Sequence, residues 1–272
     1  MALGLALLLA TLNGCGVGSP SPATPHDEGF SHVHGLGVNP VDGDLYAATH
    51  HGVFRMTDSG PARVGEGRQD TMGFTVTGPN EFLASGHPAP GDDAPPHLGL
   101  IQSTDAGRTW RTLSLAGKAD FHLLRESGGM VYGLDSTSGA LLASADRSTW
   151  ERRSTIEAFD LAVDPTRAAT LVATTEQGLQ RSTDGGRTWS PANSPAVLLL
   201  LHWSDRGLFA VTTDGRVVRS PDGASTWSVT GGRVPGTPAA LTDHEDSLYL
   251  ATQDARVLRS ADGGATWQPL PS

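Results

Sequence analysis

The chain of 272 residues contains one cysteine, Cys15, so no disulfide can form within it. Positive charge is also scarce: 19 Lys and Arg stand against 29 Asp and Glu, for a net charge of −10, with no basic run. No nucleic acid is expected as a partner, because phosphate binding needs a cationic face. The words G-x-S-x-G, H-E-x-x-H, G-x-x-x-x-G-K-[ST] and C-x-x-C do not occur. Hydrolase elbows, zincins, NTPases and thiol redox centres therefore lose their support. What is plentiful is glycine and proline, 34 and 18 residues, a balance that suits a turn-rich β protein.

After residue 12 no apolar stretch approaches the length that spans a membrane. Residues 2–12, ALGLALLLATL, have the length of a signal h-region and end in LNGC. That word resembles a bacterial lipobox, although the n-region MALG lacks Lys or Arg. The resemblance implies a signal peptide over 1–14, cleavage before Cys15 and acylation of its thiol. Residues 15–29 then form a Ser/Pro-rich tether. The remainder, 30–272, would be held outside the cytoplasm on the cell membrane.

One short word returns along the chain: QSTDAGRTW, RSTDGGRTW, RSPDGASTW and RSADGGATW, with a shortened copy, SADRSTW. Their closing tryptophans are Trp110, Trp150, Trp189, Trp227 and Trp267, at intervals of 40, 39, 38 and 40 residues. A period near 40 with several short strands per unit predicts propeller blades. One further unit upstream, with a degraded turn, brings the expectation to an all-β, six-bladed propeller of four-stranded blades over 30–272. The word S-x-D-x-G-x-T-W resembles the Asp box of BNR-repeat proteins, which occupies the turn between the third and fourth strands. Its members here are Asp105 with Trp110, Asp184 with Trp189, Asp222 with Trp227 and Asp262 with Trp267. An Asp in such a turn accepts backbone N–H groups, a Gly supplies positive φ, and the Trp is buried between blades. A single carboxylate is too few for a calcium loop, so the word reads as a staple.

In a four-strand meander the start of the first strand and the second turn share the face opposite the staples. Seven of the ten histidines map there: His32, His34, His50, His51, His87, His97 and His122. Residues 32 and 34, at i and i+2, point to one side of a strand. Counting back 22 residues from the box serines makes His122 and Asp160 equivalent. His32, His34, His50, His51, His87, His122 and Asp160 are accordingly the candidate metal ligands, because imidazole with carboxylate suits Zn or Cu. Met72 offers a thioether if copper is the ion, although packing is its plainer role.

Three functions stay open. The first is binding of a transition metal or metal-containing ligand at this face. The second follows from resemblance to short bacterial lipoproteins labelled sialidase-like or glycosyl-hydrolase-like, and implies carbohydrate hydrolysis. The sialidase Arg-Ile-Pro word is absent, and Tyr46, Tyr132 and Tyr249 all fall within second strands. A glycosidase needs two facing carboxylates, for which Asp135 and Asp160 are the first candidates, with Asp70 and Asp120 also available. Arg68, Arg152, Arg153 and Arg233 are placed in interblade connections, where an anion would be met. The third is a non-catalytic scaffold with a protein partner, like Asp-box propeller factors that help build membrane complexes.

Overall fold

The computed structural model describes residues 29–272, so the signal peptide, Cys15 and nearly all of the tether lie outside the described residues. Six sheets of four antiparallel strands follow one another along the chain. Blade 1 comprises β1 (Val33–Val38), β2 (Leu45–Thr49), β3 (Gly52–Thr57) and β4 (Gly60–Arg63). Blade 2 comprises β5 (Asp70–Gly78), β6 (Glu81–His87), β7 (Leu100–Ser103) and β8 (Arg111–Ser114). In blade 3, β9 is Phe121–Ser127, β10 Met130–Asp135, β11 Ala140–Ser144 and β12 Glu151–Thr155. Blades 4, 5 and 6 open on β13 (Ala158–Asp164), β17 (Leu198–Ser204) and β21 (Pro238–His244). This is the six-bladed propeller expected from the tryptophan spacing.

Each sheet uses four consecutive strands, so among the described residues no strand is shared to close the ring. Side-chain packing closes it. Six apolar clusters each join two successive blades, and five contain the box tryptophan of the later blade. Trp189, for example, packs against Leu141 and Leu171 between blades 3 and 4. Blade 1 has no box tryptophan, and its interface with blade 6 is filled by Phe30, Met56 and Leu270. The second strands are the best shielded; all five residues of β2 are buried. Apolar area scattered along the sequence is thereby collected into six sealed interfaces, the main favourable contribution to folding.

The staple is built the same way in each complete copy. In blade 4, Asp184 Oδ1 accepts the N–H groups of Arg187 and Thr188, at 3.0 and 2.9 Å. Its Oδ2 accepts the Thr188 hydroxyl at 2.6 Å, and the Gly186 N–H donates to Ser182 Oγ at 2.9 Å. These donors hold the Asp184 carboxyl down at about 2. Positive φ is needed at two successive positions rather than one, and an alanine fills the second in blade 5, Ala224 at 75°. The exposed Arg152 and the end-of-strand Arg233 belong to fourth strands rather than connections, and Arg153 is paired with Glu151. The connection expected for them holds only Arg68.

Candidate metal centre

The strand that opens each blade carries a bulge within its first three residues, at the end opposite the staples. In β1 the register jumps between Val33 and Gly35, leaving His34 as the extra residue. The matching extra residues are Met72, His122, Phe159, Leu199 and Ala239. A bulge re-aims a side chain that the pleat would otherwise turn away. The ring of bulges is thus His, Met and His on blades 1 to 3, and apolar on blades 4 to 6. The equivalence of His122 with Asp160 is off by one residue. In blade 4 three residues, 168–170, are left unpaired in the first hairpin, and the second turn is two residues shorter than in blade 3. The count therefore shifts by one, and Phe159 is the true counterpart. A slip of one moves a strand residue to the opposite face.

Two groups of donors converge on the histidine side of this ring. In the first, His34 Nε2 lies 3.2 Å from His50 Nδ1 and 3.6 Å from Asp70 Oδ1. His50 Nδ1 is 3.0 Å from the same Asp70 oxygen. The second group consists of His87, His97 and Asp120. Asp120 Oδ2 stands 3.4 Å from His87 Nε2 and 3.8 Å from His97 Nδ1. Within each group the ligand atoms lie within 4.8 Å of one another, so either could hold a metal ion.

The local sequence explains these positions. Asp70 and His87 are cross-strand partners at the open end of the β5–β6 pair. Gly86 makes that pairing feasible: its φ is 144°, and a Cβ there would sit 1.9 Å from the Asp70 carbonyl oxygen. His50 is in the turn after β2, and the 88–99 loop returns His97 beside His87, their ring centroids 5.6 Å apart. Burial, with His50 alongside, lowers the His34 imidazole to about 4 against the opposing pull of Asp70. His34 is therefore neutral at pH 7, the state that ligates.

The other candidates take different places. His32 flanks the first group, its ring stacked on His50 at 5.6 Å and its Nδ1 3.3 Å from the Gln253 carbonyl oxygen. His122 Nε2 is 3.1 Å from Asp120 Oδ2. His51 is exposed, and among the described residues its ring makes no hydrogen bond or ion pair. Asp160 is apart from both groups: Arg125 (2.6 Å) and the N–H of Leu161 (2.7 Å) engage Oδ1, and the Leu201 N–H (2.8 Å) engages Oδ2. It belts blades 3, 4 and 5 around the channel. Asp135 accepts the Asp120 N–H at 2.9 Å and the hydroxyls of Thr137 and Ser138, and so positions Asp120. Asp70, Asp120 and His97 were not among the expected ligands. The signal for Asp120 was its place two residues before His122, at the entry to the same strand.

Behind His34 the channel forms a cavity of about 320 Å³ that Phe159, Asp160, Trp203, His202 and Asp243 also line. Burial raises the Asp243 carboxyl, but hydrogen bonds from His202 and Ser204 and the charge of Arg206 prevail and hold it low.

The BNR/Asp-box repeat family matches residues 180–191, which contain the staple of blade 4. No curated protein sequence matches the chain. Solved structures with the same fold include YCF48 bound to D1 peptide, 19% identical over 89% of this chain and 82% of that one, TM-score 0.55. Virginiamycin B lyase from Staphylococcus aureus is 13% identical over 89% and 85%, TM-score 0.57. The GH74 xyloglucanase from Xanthomonas campestris is 18% identical over 89% of this chain and 38% of its own, TM-score 0.54. The chain thus resembles Asp-box propellers in its repeated turn and in its fold. A peptide-bound protein, a lyase and a glycosidase share that fold, so activity must be argued from the site.

Proposed function

We propose that this protein binds a borderline transition-metal ion, Zn²⁺ or Cu²⁺, at the face opposite the Asp boxes, on His34, His50 and Asp70. One observation carries the reading: three donor atoms from three separate segments stand 3.0 to 3.6 Å apart. Metal bonds of about 2.1 Å at tetrahedral angles set their donors about 3.4 Å apart. Hydrogen bonding alone satisfies the trio poorly, because one His50 Nδ1 faces both a carboxylate oxygen and a second ring nitrogen. His50 is 44% exposed, so the remaining coordination position opens to solvent or to a ligand.

Carbohydrate hydrolysis has weaker support, since Asp135 and Asp160 both spend their oxygens on backbone N–H groups and on Ser, Thr or Arg side chains. The lipobox-like LNGC supports attachment at Cys15, which would present the metal face outside the cytoplasm. Calorimetric titration of tag-free, chelator-stripped protein tests the function. Saturable binding of Zn²⁺ or Cu²⁺ is expected, and the His34→Ala, His50→Ala double variant should lose the ion held by His34, His50 and Asp70. Absence of saturable binding would refute it.

A further inference from the structure

We infer that the face holds two ions at once, the second on His87, His97 and Asp120, and that Asp70 couples them. This inference rests on the metal reading above. Its independent support is a pair of buried atoms that have no hydrogen-bond partner among the described residues, Asp120 Oδ1 and His97 Nδ1. The Asp120 side chain is only 6% exposed, and stranding a carboxylate oxygen out of water is costly. Its other oxygen is fully engaged, accepting the Ser136 hydroxyl at 2.7 Å and facing three imidazoles. A divalent cation among Asp120, His87 and His97 supplies what the protein does not: a positive centre for the carboxylate and an acceptor for the His97 lone pair.

The coupling follows from which atoms face which group. Asp70 Oδ1 belongs to the first group, and Oδ2 lies 3.6 Å from His87 Nδ1. The opposite nitrogen of that ring, Nε2, faces Asp120 in the second group. A proton on Nδ1, drawn toward Asp70, leaves the Nε2 lone pair directed at the second ion. Carboxylates commonly orient ligating histidines in this way. A whole imidazole ring and the 3.6 Å gap separate the groups, so these are two mononuclear centres rather than a bridged pair. The substitutions therefore have unequal consequences. Loss of Asp120 or His97 removes only the second ion, whereas loss of Asp70 removes a ligand of the first and the orienting group of the second.

Zn²⁺ is the probe, with stoichiometry read by equilibrium dialysis and metal analysis on stripped protein. Wild type should take up two ions per chain. Asp120→Asn and His97→Ala should each retain one, and His34→Ala with His50→Ala should retain the other. His97 lies in a loop, so its replacement covers the case in which Asp120→Asn misfolds. Asp70→Asn should weaken both ions at least tenfold. One ion per chain, unaffected by Asp120→Asn and His97→Ala, would overturn the second centre and leave the first. A single ion per wild-type chain, abolished by either set of variants, would mean one shared site and would also overturn it. Zero uptake would overturn the metal reading itself.

Discussion

Acidification of the metal-free protein should expose the strain that the first group imposes on His34. Its imidazole is lowered from 6.5 to about 4, by burial first and then by the charge of His50, with smaller contributions from His32 and His122 and with Asp70 opposing. The side chain is 10% exposed, so solvent screens these effects weakly. Because the folded value is the lower one, the unfolded chain takes up the proton first as pH falls. Stability is therefore intact above about pH 6.5 and declines until the folded imidazole protonates near 4. At pH 5 the two values give a loss of about 2 kcal/mol relative to neutral pH. Urea unfolding of chelator-stripped wild type and His34→Gln, each at pH 7.5 and pH 5, isolates this contribution. Titrating groups remote from His34 are common to both proteins and cancel in the difference. Wild type should lose about 2 kcal/mol more than the variant over that interval. Equal losses would refute the burial-driven depression at His34.

Asp184→Ala should lower the melting temperature while leaving Zn²⁺ uptake unchanged, since its carboxylate serves only the blade 4 turn. A variant with wild-type melting and impaired uptake would mean that the staple face is functional. Asp160→Ala should cost about 1–3 kcal/mol in denaturant unfolding, the usual result of stranding buried donors, here the N–H groups of Leu161 and Leu201. It too should leave metal binding intact, and a lost ion would make Asp160 a ligand after all. Leu171→Ala, within the sealed interface of blades 3 and 4, should cost about 2–5 kcal/mol; a smaller change would mean that this interface repacks. Cys15→Ser should move the protein from the membrane to the soluble extracytoplasmic fraction, and unchanged fractionation would argue against a lipid anchor.

Blade number was legible because one ring, the box tryptophan, recurs at the spacing of the interface it fills. The staple was legible because Ser, Asp, Gly and Thr each serve a local hydrogen bond within five residues. Convergence of the histidines was also readable, since blade topology alone assigns strand starts and turns to a face. The carboxylates were not. Asp70 meets His34 and His50 across a blade boundary, and no periodicity encodes that distance. Asp160 looked available until Arg125, 35 residues upstream, was found on it. Its assigned equivalence with His122 failed because a longer first hairpin and a shorter second turn in blade 4 leave the count one residue off.

The position of a bound ion decides whether His34, His50 and Asp70 form a metal centre. Crystals of the stripped protein soaked in Zn²⁺, with data collected at the zinc absorption edge, give that location directly. An anomalous peak is predicted about 2.0–2.2 Å from His34 Nε2, His50 Nδ1 and Asp70 Oδ1. No peak at that position, or peaks only at surface carboxylates, would contradict the account.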